Sequence, residues 1–370
     1  MEIFLLKYVR GINMKKPLKI TLITLGAVFG TVIAFIGGVL IFASATTLKV
    51  KDKEKMEIRS NVTKEIDKSE VLNVMTWNTG YGALDERQDC CWDGGKGVYG
   101  ESEDVVLENI DALKTKISVE NPDIFFVQEL DLDSKRSYFV DELESFRSTF
   151  SSKYNDSFAR NFKAGLVPLP LNQMTGKVDA GIATFSKFTI SDAERVQLPI
   201  PFKWPMNLFN LKRCLLVTRL PIKDSEKELV MINLHLEAYS SEEGKAKQAS
   251  MLMDLMDNEY KKGNYVIAGG DFNQTFSHIG FDKYPNNGDW ECPVFEESGY
   301  PDFKFMMDDT TPTCRSLKTP LVGYDKDTFQ YYMIDGFIVS NNVTVDEIHT
   351  LDLGFKNTDH NPVTMNIKLS

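Results

Sequence analysis

The hydrophobic pattern of the chain changes abruptly near residue 45. Residues 20–45 form a run without a charged side chain, rich in Leu, Ile, Val, Phe and Gly. Because about 20 apolar residues suffice to cross a bilayer as a helix, this run predicts a single transmembrane helix. The run is longer than the roughly 7–15 apolar residues of a cleaved signal peptide, so we expect an uncleaved signal anchor.

Basic residues on the two sides of the apolar run predict its orientation. The residues before the run are Lys7, Arg10, Lys15, Lys16 and Lys19, with only Glu2 opposing them. The lysines after it are Lys49, Lys51, Lys53 and Lys55, and they are mixed with acids. The small excess on the amino-terminal side favours a cytoplasmic N-terminus. We therefore expect a single-pass membrane protein whose main domain lies outside the cytoplasm.

The chain after the apolar run divides by composition at about residue 70. Residues 46–70 are dominated by Lys, Glu and Asp without sustained periodicity, which is typical of a solvated tether. Residues 71–370 show no further break in composition and no internal repeat. The sequence therefore predicts a cytoplasmic segment 1–19, a transmembrane anchor 20–45, a tether 46–70 and one domain 71–370.

Within the domain, strand-like and helix-like patterns alternate irregularly. Helical spacing of apolar residues predicts helices over 105–119, 135–150 and 244–260. Strands are predicted over 71–77, 124–127, 157–162, 180–185, 188–196, 214–220, 229–236, 265–268, 334–339, 343–353 and 363–369. Many strands with few helices, neither strictly alternating nor segregated, predict an α/β fold of two sheets with helices outside them.

Charge and cysteine content restrict the function classes. The formal charge of −11 argues against tight, charge-driven binding to bulk nucleic acid. It leaves a nuclease possible, because a metal ion brings its own positive charge to a phosphate. The five cysteines have no metal-knuckle spacing, and their odd number implies at least one free thiol or an intermolecular bridge. A disulfide from Cys90 or Cys91 to a distant cysteine stays open.

One strand end carries two polar side chains in a suggestive arrangement. The β-prone segment from Val266 stops at Gly269 and Gly270 and is followed by Asp271 and Asn273. Residues two apart in an extended segment point the same way, so both side chains can converge on one target. The alternative is a plain turn in which the aspartate side chain caps the end of the strand.

Further polar residues follow other predicted strands. Asn78 ends the first strand, and Glu129 follows four apolar residues, where an unpaired carboxylate is costly. His235 ends another strand with Asn233 on the same face. Asp335 precedes a strand, and Asp359 and His360 precede the last one. Each has an ordinary structural explanation by itself, but the series together indicates a shared site.

These residues lie in motifs that resemble those of the endonuclease/exonuclease/phosphatase superfamily. The motifs are TWN, VQEL, GIATFSK, NLHLEA, GGDFN, TCRS, IDGFIVS and TDHNP, in the family's order. The superfamily includes pancreatic deoxyribonuclease, abasic-site endonucleases, inositol-polyphosphate phosphatases and neutral sphingomyelinases. The resemblance covers residues 71–370. It implies a four-layer α/β sandwich of two mixed β-sheets flanked by helices, here preceded by one transmembrane helix.

The resemblance also implies a role for each site residue. Asn78, Glu129 and Asp359 would hold a divalent metal, Mg²⁺ or Mn²⁺, which prefers such oxygen ligands. Asp271 would deprotonate the attacking water, with Asn273 fixing its position. His360, oriented by Asp335, would stabilise the transition state, and His235 would face the phosphate or leaving group with Asn233 nearby. The implied reaction is in-line hydrolysis of a phosphate ester.

The substrate and the partners stay open at this point. The expected partners are a phosphate ester and, through the N-terminal helix, a lipid bilayer; no obligate protein partner is evident. A nuclease would need a basic rim, for which Lys212, Arg213, Arg219, Lys245 and Lys247 are scattered candidates. Apolar, proline-rich loops at 166–171 and 199–209 would suit a phospholipid or sphingomyelin-type phosphodiesterase. A non-catalytic binding module of the same fold is the remote alternative.

The segment 80–100 has no counterpart that we recognise in the well-known nucleases. It includes Cys90, Cys91 and a Gly-rich stretch. It is either a surface loop or an element that shapes substrate choice at the mouth of the cleft.

Overall fold

A computed structural model describes residues 15–279, 284 and 290–370 of the chain. The chain divides into two compact units, with the boundary between Thr46 and Thr47. The first contains helix α1 (Lys16–Thr46), which by length and composition could cross a membrane and which includes the predicted span 20–45. Most of the cytoplasmic segment predicted for residues 1–19 lies outside the described residues.

The second unit is built on two large sheets. The spatial order in the first sheet is β1 (Lys53–Lys55), β7 (Asp192–Gln197), β8 (Cys214–Pro221), β9 (Glu228–His235), β10 (Tyr265–Asp271), β16 (Asp335–Ser340) and β13 (Phe303–Met306). The order in the second is β17 (Val343–Thr350), β18 (Val363–Leu369), β3 (Leu72–Asn78), β4 (Ile124–Asp131), β6 (Gly176–Ser186), β5 (Asn155–Val167) and β2 (Ile58–Arg59). Strand numbers follow the chain.

Each large sheet contains one parallel pair of strands among antiparallel neighbours. In the first sheet the pair is β9 with β10, and in the second it is β3 with β4. Because parallel strands end at the same edge, the last residues of both pairs can present side chains side by side. Within the described residues there are also two short ladders, β11 (Thr275–Phe276) with β12 (Val294–Phe295) and β14 (Cys314–Arg315) with β15 (Tyr331–Tyr332).

Three helices cover the outer faces of the sheets. They are α2 (Glu103–Glu120), α3 (Glu142–Phe150) and α4 (Glu242–Lys261). Each begins at a residue whose side-chain oxygen accepts a backbone N–H of the first turn, namely Ser102, Asp141 and Ser241. Polar caps at these positions satisfy donors that a helix start would otherwise leave unpaired.

Apolar side chains fill three successive layers of core. One cluster lies between the two sheets and includes Val74, Phe126 and Ile267. A second joins α2 and α3 to the outer face of the second sheet, and a third joins α4 to the first sheet. The resulting helix–sheet–sheet–helix arrangement confirms the predicted four-layer α/β sandwich of two mixed sheets.

The segment 46–70 is not a free tether. Residues Lys53–Lys55 pair with β7 at one edge of the first sheet, and Ile58–Arg59 pair with β5 in the second. Ile66 is fully buried against the inter-sheet core. The charged side chains of this segment point outward, whereas its backbone and a few apolar side chains bind the domain. Composition alone does not show this arrangement.

Other differences are local. The helix predicted over 135–150 begins only at Glu142, because residues 135–137 form a single short turn beside Asp131. All five cysteines are free, so no bridge links Cys90 or Cys91 to a distant cysteine.

Candidate active site

A cavity of about 590 Å³ opens at the edge where the two parallel strand pairs end. Six of the residues singled out in the sequence line it: Glu129, His235, Asp271, Asn273, Asp359 and His360. Two more, Asn78 and Asp335, are buried directly behind this lining. The fold therefore brings together residues from strands of both sheets.

Strand β10 positions the central carboxylate. Gly270 precedes Asp271 with φ of +145°, and a Cβ atom there would lie 2.0 Å from the carbonyl oxygen of Leu234 on β9. Only glycine fits this close approach of two backbones. The register then places Asp271 directly beside His235, the last residue of β9.

Asp271 is the common neighbour of the site. Its Oδ2 accepts a hydrogen bond from Asn78 Nδ2 at 3.0 Å. The same oxygen lies 3.4 Å from His235 Nε2 and 3.9 Å from His360 Nε2. Its other oxygen, Oδ1, accepts the backbone N–H of Asn273 at 2.8 Å, which is the capping turn that the sequence left open. Asp271 both closes the strand and faces the cavity.

His360 is held in a fixed orientation. Its Nδ1 lies 2.8 Å from Asp335 Oδ2, and both side chains are almost fully buried. Its Nε2 lies 3.8 Å from Asp359 Oδ2. The Asp335 backbone N–H in turn donates to the hydroxyl of Thr313 at 3.1 Å. With Nδ1 bound to a carboxylate, Nε2 is the nitrogen available to a ligand.

Glu129 reaches the cavity through an irregularity in β4. The register with β6 shifts between Val127 and Leu130, and Glu129 has a left-handed backbone with φ of +59°. A non-glycine residue in this region is strained by about 1 kcal/mol or more, and such residues concentrate at functional sites. The bulge brings Glu129 Oε1 to 3.8 Å from His235 Nε2.

Asn273 is fixed by the backbone around it. Its φ is +50°, and its Nδ2 donates to the carbonyl oxygen of Leu236 at 3.0 Å. With the nitrogen bound to the wall, the amide oxygen is the group that it can offer to the cavity. The positive φ replaces the extended geometry expected from the sequence, yet Asn273 still lines the same cavity as Asp271.

Asn233 does not lie at the cavity. It is fully buried between the sheets, where its Nδ2 donates to the carbonyl oxygen of Ala183 at 2.7 Å. Its Oδ1 accepts from Gln128 Nε2 at 2.8 Å. Because its hydrogen-bonding groups already have partners in the opposite sheet, Asn233 joins the two sheets and has no group left for a substrate.

Burial and neighbouring charges shift the pKa values of four titratable groups at the cavity, some upward and one downward. Burial, followed by the charge of Asp335, raises the pKa of Asp271 to about 7, and burial with the charge of Asp359 does the same for Glu129. Burial and the nearby Arg213 lower the pKa of His235 well below its usual range. Burial also disfavours a charged His360, but Asp335 raises its pKa well above the usual range. Two histidines in one cavity thus have opposite protonation preferences.

The lining offers several possible metal ligands. Ligand atoms of Asp271, Asp335 and His360 lie within 4.8 Å of one another, and so do those of Cys314, Asp359 and His360. Glu129 belongs to neither of these groups, and its Oε1 lies 3.8 Å from His235 Nε2. Its partly buried carboxylate and the carboxylates of Asp271 and Asp359 face one cavity, which is a donor set suited to a hard divalent cation.

Three cavity residues were given no catalytic or metal-binding role from the sequence, namely Asp93, Arg213 and Tyr239, although Arg213 was a candidate for a basic rim. Arg213 is almost fully buried, and its Nη1 donates to the carbonyl oxygen of His235 at 3.3 Å. Its Nε has no hydrogen-bond partner, since Glu237 Oε2 lies 3.7 Å away. Tyr239 donates its hydroxyl to Asp93 at 3.2 Å, which connects the 80–100 segment to the loop after β9. No motif marks these residues, because each reaches the cavity from a separate loop.

The 80–100 segment is a rigid part of the cavity wall. The buried guanidinium of Arg315 donates to the backbone carbonyl oxygens of Leu84, Asp85 and Gln88. Tyr81, Trp92 and Asp93 line the cavity. Of the two interpretations left open, a plain surface loop and a wall of the cleft, the structure favours the wall.

Comparison with known proteins gives the family. The profile of the Endonuclease/Exonuclease/phosphatase family matches residues 75–354. No curated protein sequence matches the chain. An endonuclease/exonuclease/phosphatase from Beutenbergia cavernae superimposes with a TM-score of 0.54 at 16% identity, covering 81% of this chain and 72% of that one.

Two further solved structures have the same fold. A protein of this family from Bacteroides thetaiotaomicron gives a TM-score of 0.51 at 16% identity, covering 81% of this chain and 96% of its own. One from Bacteroides vulgatus gives 0.50 at 13% identity, covering 82% and 100%. The match to the family profile spans most of the domain and confirms the resemblance drawn from the motifs. The chain belongs to the Endonuclease/Exonuclease/phosphatase family and is a hydrolase of the class that acts on phosphate ester bonds.

Proposed function

We propose that this protein is a membrane-anchored, divalent-metal-dependent phosphoesterase that hydrolyses its substrate by in-line attack of a water activated by Asp271. The observation that carries the proposal is the position of Asp271 Oδ2. It is hydrogen-bonded to Asn78 and lies within 4 Å of both His235 and His360 at the edge of one cavity. Asp271, His235 and His360 line that cavity together, and Asn78 is buried behind them.

Asp271 is suited to act as the general base. Its elevated pKa places it near neutrality, where a carboxylate accepts a proton most effectively. The water proton passes to Asp271 as the water oxygen bonds to phosphorus, and the bond to the leaving oxygen breaks on the opposite side. Asn78 and the Asn273 backbone hold the carboxylate in place from behind.

His360 is suited to stabilise the charge that develops on phosphate. Asp335 favours its protonated form and fixes the ring, which leaves Nε2–H free to donate to a non-bridging oxygen. His235, whose pKa is lowered, is neutral and cannot add a second charge next to it. It would instead contact the leaving group through a neutral ring.

The donor set fits a divalent cation. Glu129 and Asp359 line the cavity and would hold Mg²⁺ or Mn²⁺, together with the amide oxygen of Asn78, which also accepts the Gly80 N–H at 3.0 Å. The ion would bring a positive charge to the buried Asp359 and the partly buried Glu129. When bound, such an ion would polarise the phosphate and stabilise the leaving oxyanion.

Arg213 would supply a further contact to phosphate. Its guanidinium is buried at the cavity wall beside His235, and its Nε lies 3.7 Å from Glu237 Oε2 without a hydrogen bond. A buried donor without a partner costs about 1–3 kcal/mol, which an anionic ligand would offset. The planar guanidinium can donate two parallel hydrogen bonds to the oxygens of a phosphate.

Four of the five basic residues suggested for a nuclease rim are engaged elsewhere, whereas Arg213 lines the cavity itself. Arg219 pairs with Glu228 and Glu259, Lys247 pairs with Glu243, and Lys245 is largely buried. Lys212 binds backbone and hydroxyl oxygens of residues 47 and 48. This disfavours a nuclease acting on long DNA or RNA, which needs exposed cations along the backbone, and leaves a phospholipid-type or small-phosphate substrate as the better candidate.

A hydrolysis panel tests this function. DNA, RNA, phospholipids, sphingomyelin and inositol phosphates would be incubated with the full-length protein, with Mg²⁺, with Mn²⁺ and with a chelator. We expect metal-dependent release of product, reduced at least about a thousandfold by Asp271→Asn. The matched control is Asp254→Asn on the exposed face of α4, which should leave the rate unchanged. Hydrolysis that survives chelation, or survives Asp271→Asn, would contradict the proposal.

A further inference from the structure

The first residues after helix α1 are bound to the wall of the cavity. The Leu48 N–H donates to the carbonyl oxygen of Lys163 at 2.9 Å. The ammonium group of Lys212 donates to Thr47 Oγ1 at 2.9 Å and to the carbonyl oxygen of Leu48. Lys163 and Lys212 each adjoin residues that line the cavity, Phe162 on β5 and Leu211 in the following loop. The point at which the domain continues into α1 therefore lies beside the cavity wall.

Almost no free chain separates the helix from this attachment. Helix α1 ends at Thr46, and the hydrogen bonds to the domain begin at Thr47. Two residues extend at most about 7 Å. If α1 spans a bilayer, as in the membrane-anchored phosphoesterase proposed above and on which this inference rests, the surface around Lys163 and Lys212 is held close to the membrane interface.

Two loops on this surface expose apolar side chains. The first joins β5 to β6 and exposes Leu169, Leu171 and Met174, and the second exposes Trp204 and Met206. We call these five residues the apolar rim. The exposed fractions of Leu171 and Trp204 are 77% and 63%, which are unusually high for such large apolar side chains on a surface that faces water.

The bases of the two loops pack together. Val167, where the first loop begins, belongs to an apolar cluster that also contains Phe209 and Leu211 from the end of the second loop. Both loops contribute to the cavity, through Val167 and Thr175 from the first and Phe202 and Met206 from the second. The apolar rim thus continues into an apolar wall that leads toward Asp271.

We propose that the apolar rim inserts into the bilayer that holds α1, and that the cavity takes its phosphate ester from a phospholipid of that same bilayer. The rim has the composition of an interfacial anchor, since tryptophan and long aliphatic side chains partition into the boundary between head groups and acyl chains. Lys203 is exposed beside Trp204, and Lys49 and Lys51 are exposed just after the attachment at Thr47 and Leu48, so these lysines would attract anionic head groups. The lipid head group enters the cavity while its apolar part remains along the rim.

The first test compares two substrates in one preparation. The full-length protein would be reconstituted into vesicles of phosphatidylcholine, phosphatidylglycerol and sphingomyelin, and also assayed on a soluble bis-nitrophenyl phosphate ester. We expect Leu171→Ser combined with Trp204→Ser to lower lipid hydrolysis about tenfold or more, the loss expected when two large apolar side chains no longer insert. Hydrolysis of the soluble ester should stay unchanged, because neither residue belongs to the catalytic group.

The matched control is Leu107→Ser combined with Val119→Ser. These side chains are also exposed and apolar, but they lie on α2 outside the cavity. This control should hydrolyse lipid and soluble ester at wild-type rates. Equal effects of the two double variants on lipid, or wild-type lipid hydrolysis by the rim variant, would overturn the inference.

A second test does not depend on activity. Acyl chains brominated near the head group quench tryptophans that insert at the interface, so they should quench the wild-type protein, and Trp204→Phe should abolish most of that quenching. Unchanged quenching in Trp204→Phe, or none in the wild type, would overturn the inference. Quenching without hydrolysis of either substrate would instead contradict the proposed phosphoesterase function while supporting the membrane contact.

Discussion

Asp335 Oδ2 lies 2.8 Å from His360 Nδ1, although Asp335 belongs to a strand of the first sheet and His360 to the loop before a strand of the second. Asp335 begins β16 beside Asp271 in the first sheet, whereas His360 precedes β18 in the second. The pair therefore crosses between the sheets at the edge of the cavity. It forces the imidazole to present Nε2 to the ligand, which is the arrangement that the proposed chemistry requires.

Replacing Asp335 by Asn should lower kcat about a hundredfold or more. The amide keeps the shape of the carboxylate but removes the charge that favours protonated His360, so the pKa of His360 should fall. Kinetics and an NMR titration of the His360 ring measure the two effects. A normal rate with a lowered His360 pKa would contradict the role of the imidazolium in catalysis.

Replacing Arg213 by Met should weaken the binding of phosphate. The buried Nε without a partner would no longer meet the anion, so inhibition by inorganic phosphate should weaken about tenfold and kcat/KM should fall by at least as much. Arg213→Lys should recover part of the phosphate inhibition and part of kcat/KM, since lysine restores the charge but not the paired N–H donors of the guanidinium. If phosphate inhibits Arg213→Met as well as it inhibits the wild type, Arg213 serves only to pack the wall.

Replacing Asn233 by Ala should affect stability and spare catalysis. The change leaves the Gln128 amide and the carbonyl oxygen of Ala183 without their partner between the sheets, which should lower the free energy of unfolding by about 2 kcal/mol. Denaturant unfolding measures this loss, and kcat and KM below the transition should match the wild type. A raised KM with normal stability would instead return Asn233 to the substrate site predicted from its strand face.

Glu259 should make stability depend on pH in acid. Burial raises its pKa, but hydrogen bonds from Arg219, Lys262 and Asn264 outweigh burial and lower it to about 2. Because this lies below the unfolded value of about 4.3, the carboxylate stabilises the fold above that pH, by about 2 kcal/mol. The contribution is lost as the pH falls from about 4.3 toward 2.

Glu259→Gln should therefore be less stable than the wild type at pH 6 and should approach it near pH 2. Denaturant unfolding at a series of pH values measures the difference. Glu243→Gln, which alters an exposed pair with Lys247, is the control and should change little at any pH. A constant deficit of Glu259→Gln across the acid range would mean that its charge does not carry the effect.

The sequence marked Asp271 and Glu129 as candidates through local signals, and their catalytic roles stay predictions. Asp271 follows two glycines at a strand end, and Glu129 follows four buried apolar residues, so each violates a local expectation. The order of several such motifs sufficed for the family and the four-layer fold, which the family profile and the sheets confirm. The structure places both residues at the same cavity.

The sequence was less informative where a residue's role depends on distant partners. Asn233 and His235 share a strand face, but Asn233 lies deeper and finds its partners in the other sheet. The charged segment 46–70 binds the domain through backbone pairing, which its side-chain composition does not reveal. The sequence offered Arg213 only as one of five scattered basic residues, because its place at the cavity depends on the carbonyl of His235 beside it.

The sequence by itself determined the apolar helix, the alternation of strands and helices, and the polar residues at strand ends, because each depends on neighbours within a few positions along the chain. Only the tertiary structure decided that Thr47 and Leu48 are fastened beside the cavity and that two apolar loops pack at its wall. The contacts of Thr47 and Leu48 join residues more than a hundred positions apart, and those between the two loops join residues more than forty apart. Their geometry follows from the pairing of strands in two packed sheets, which no local pattern encodes.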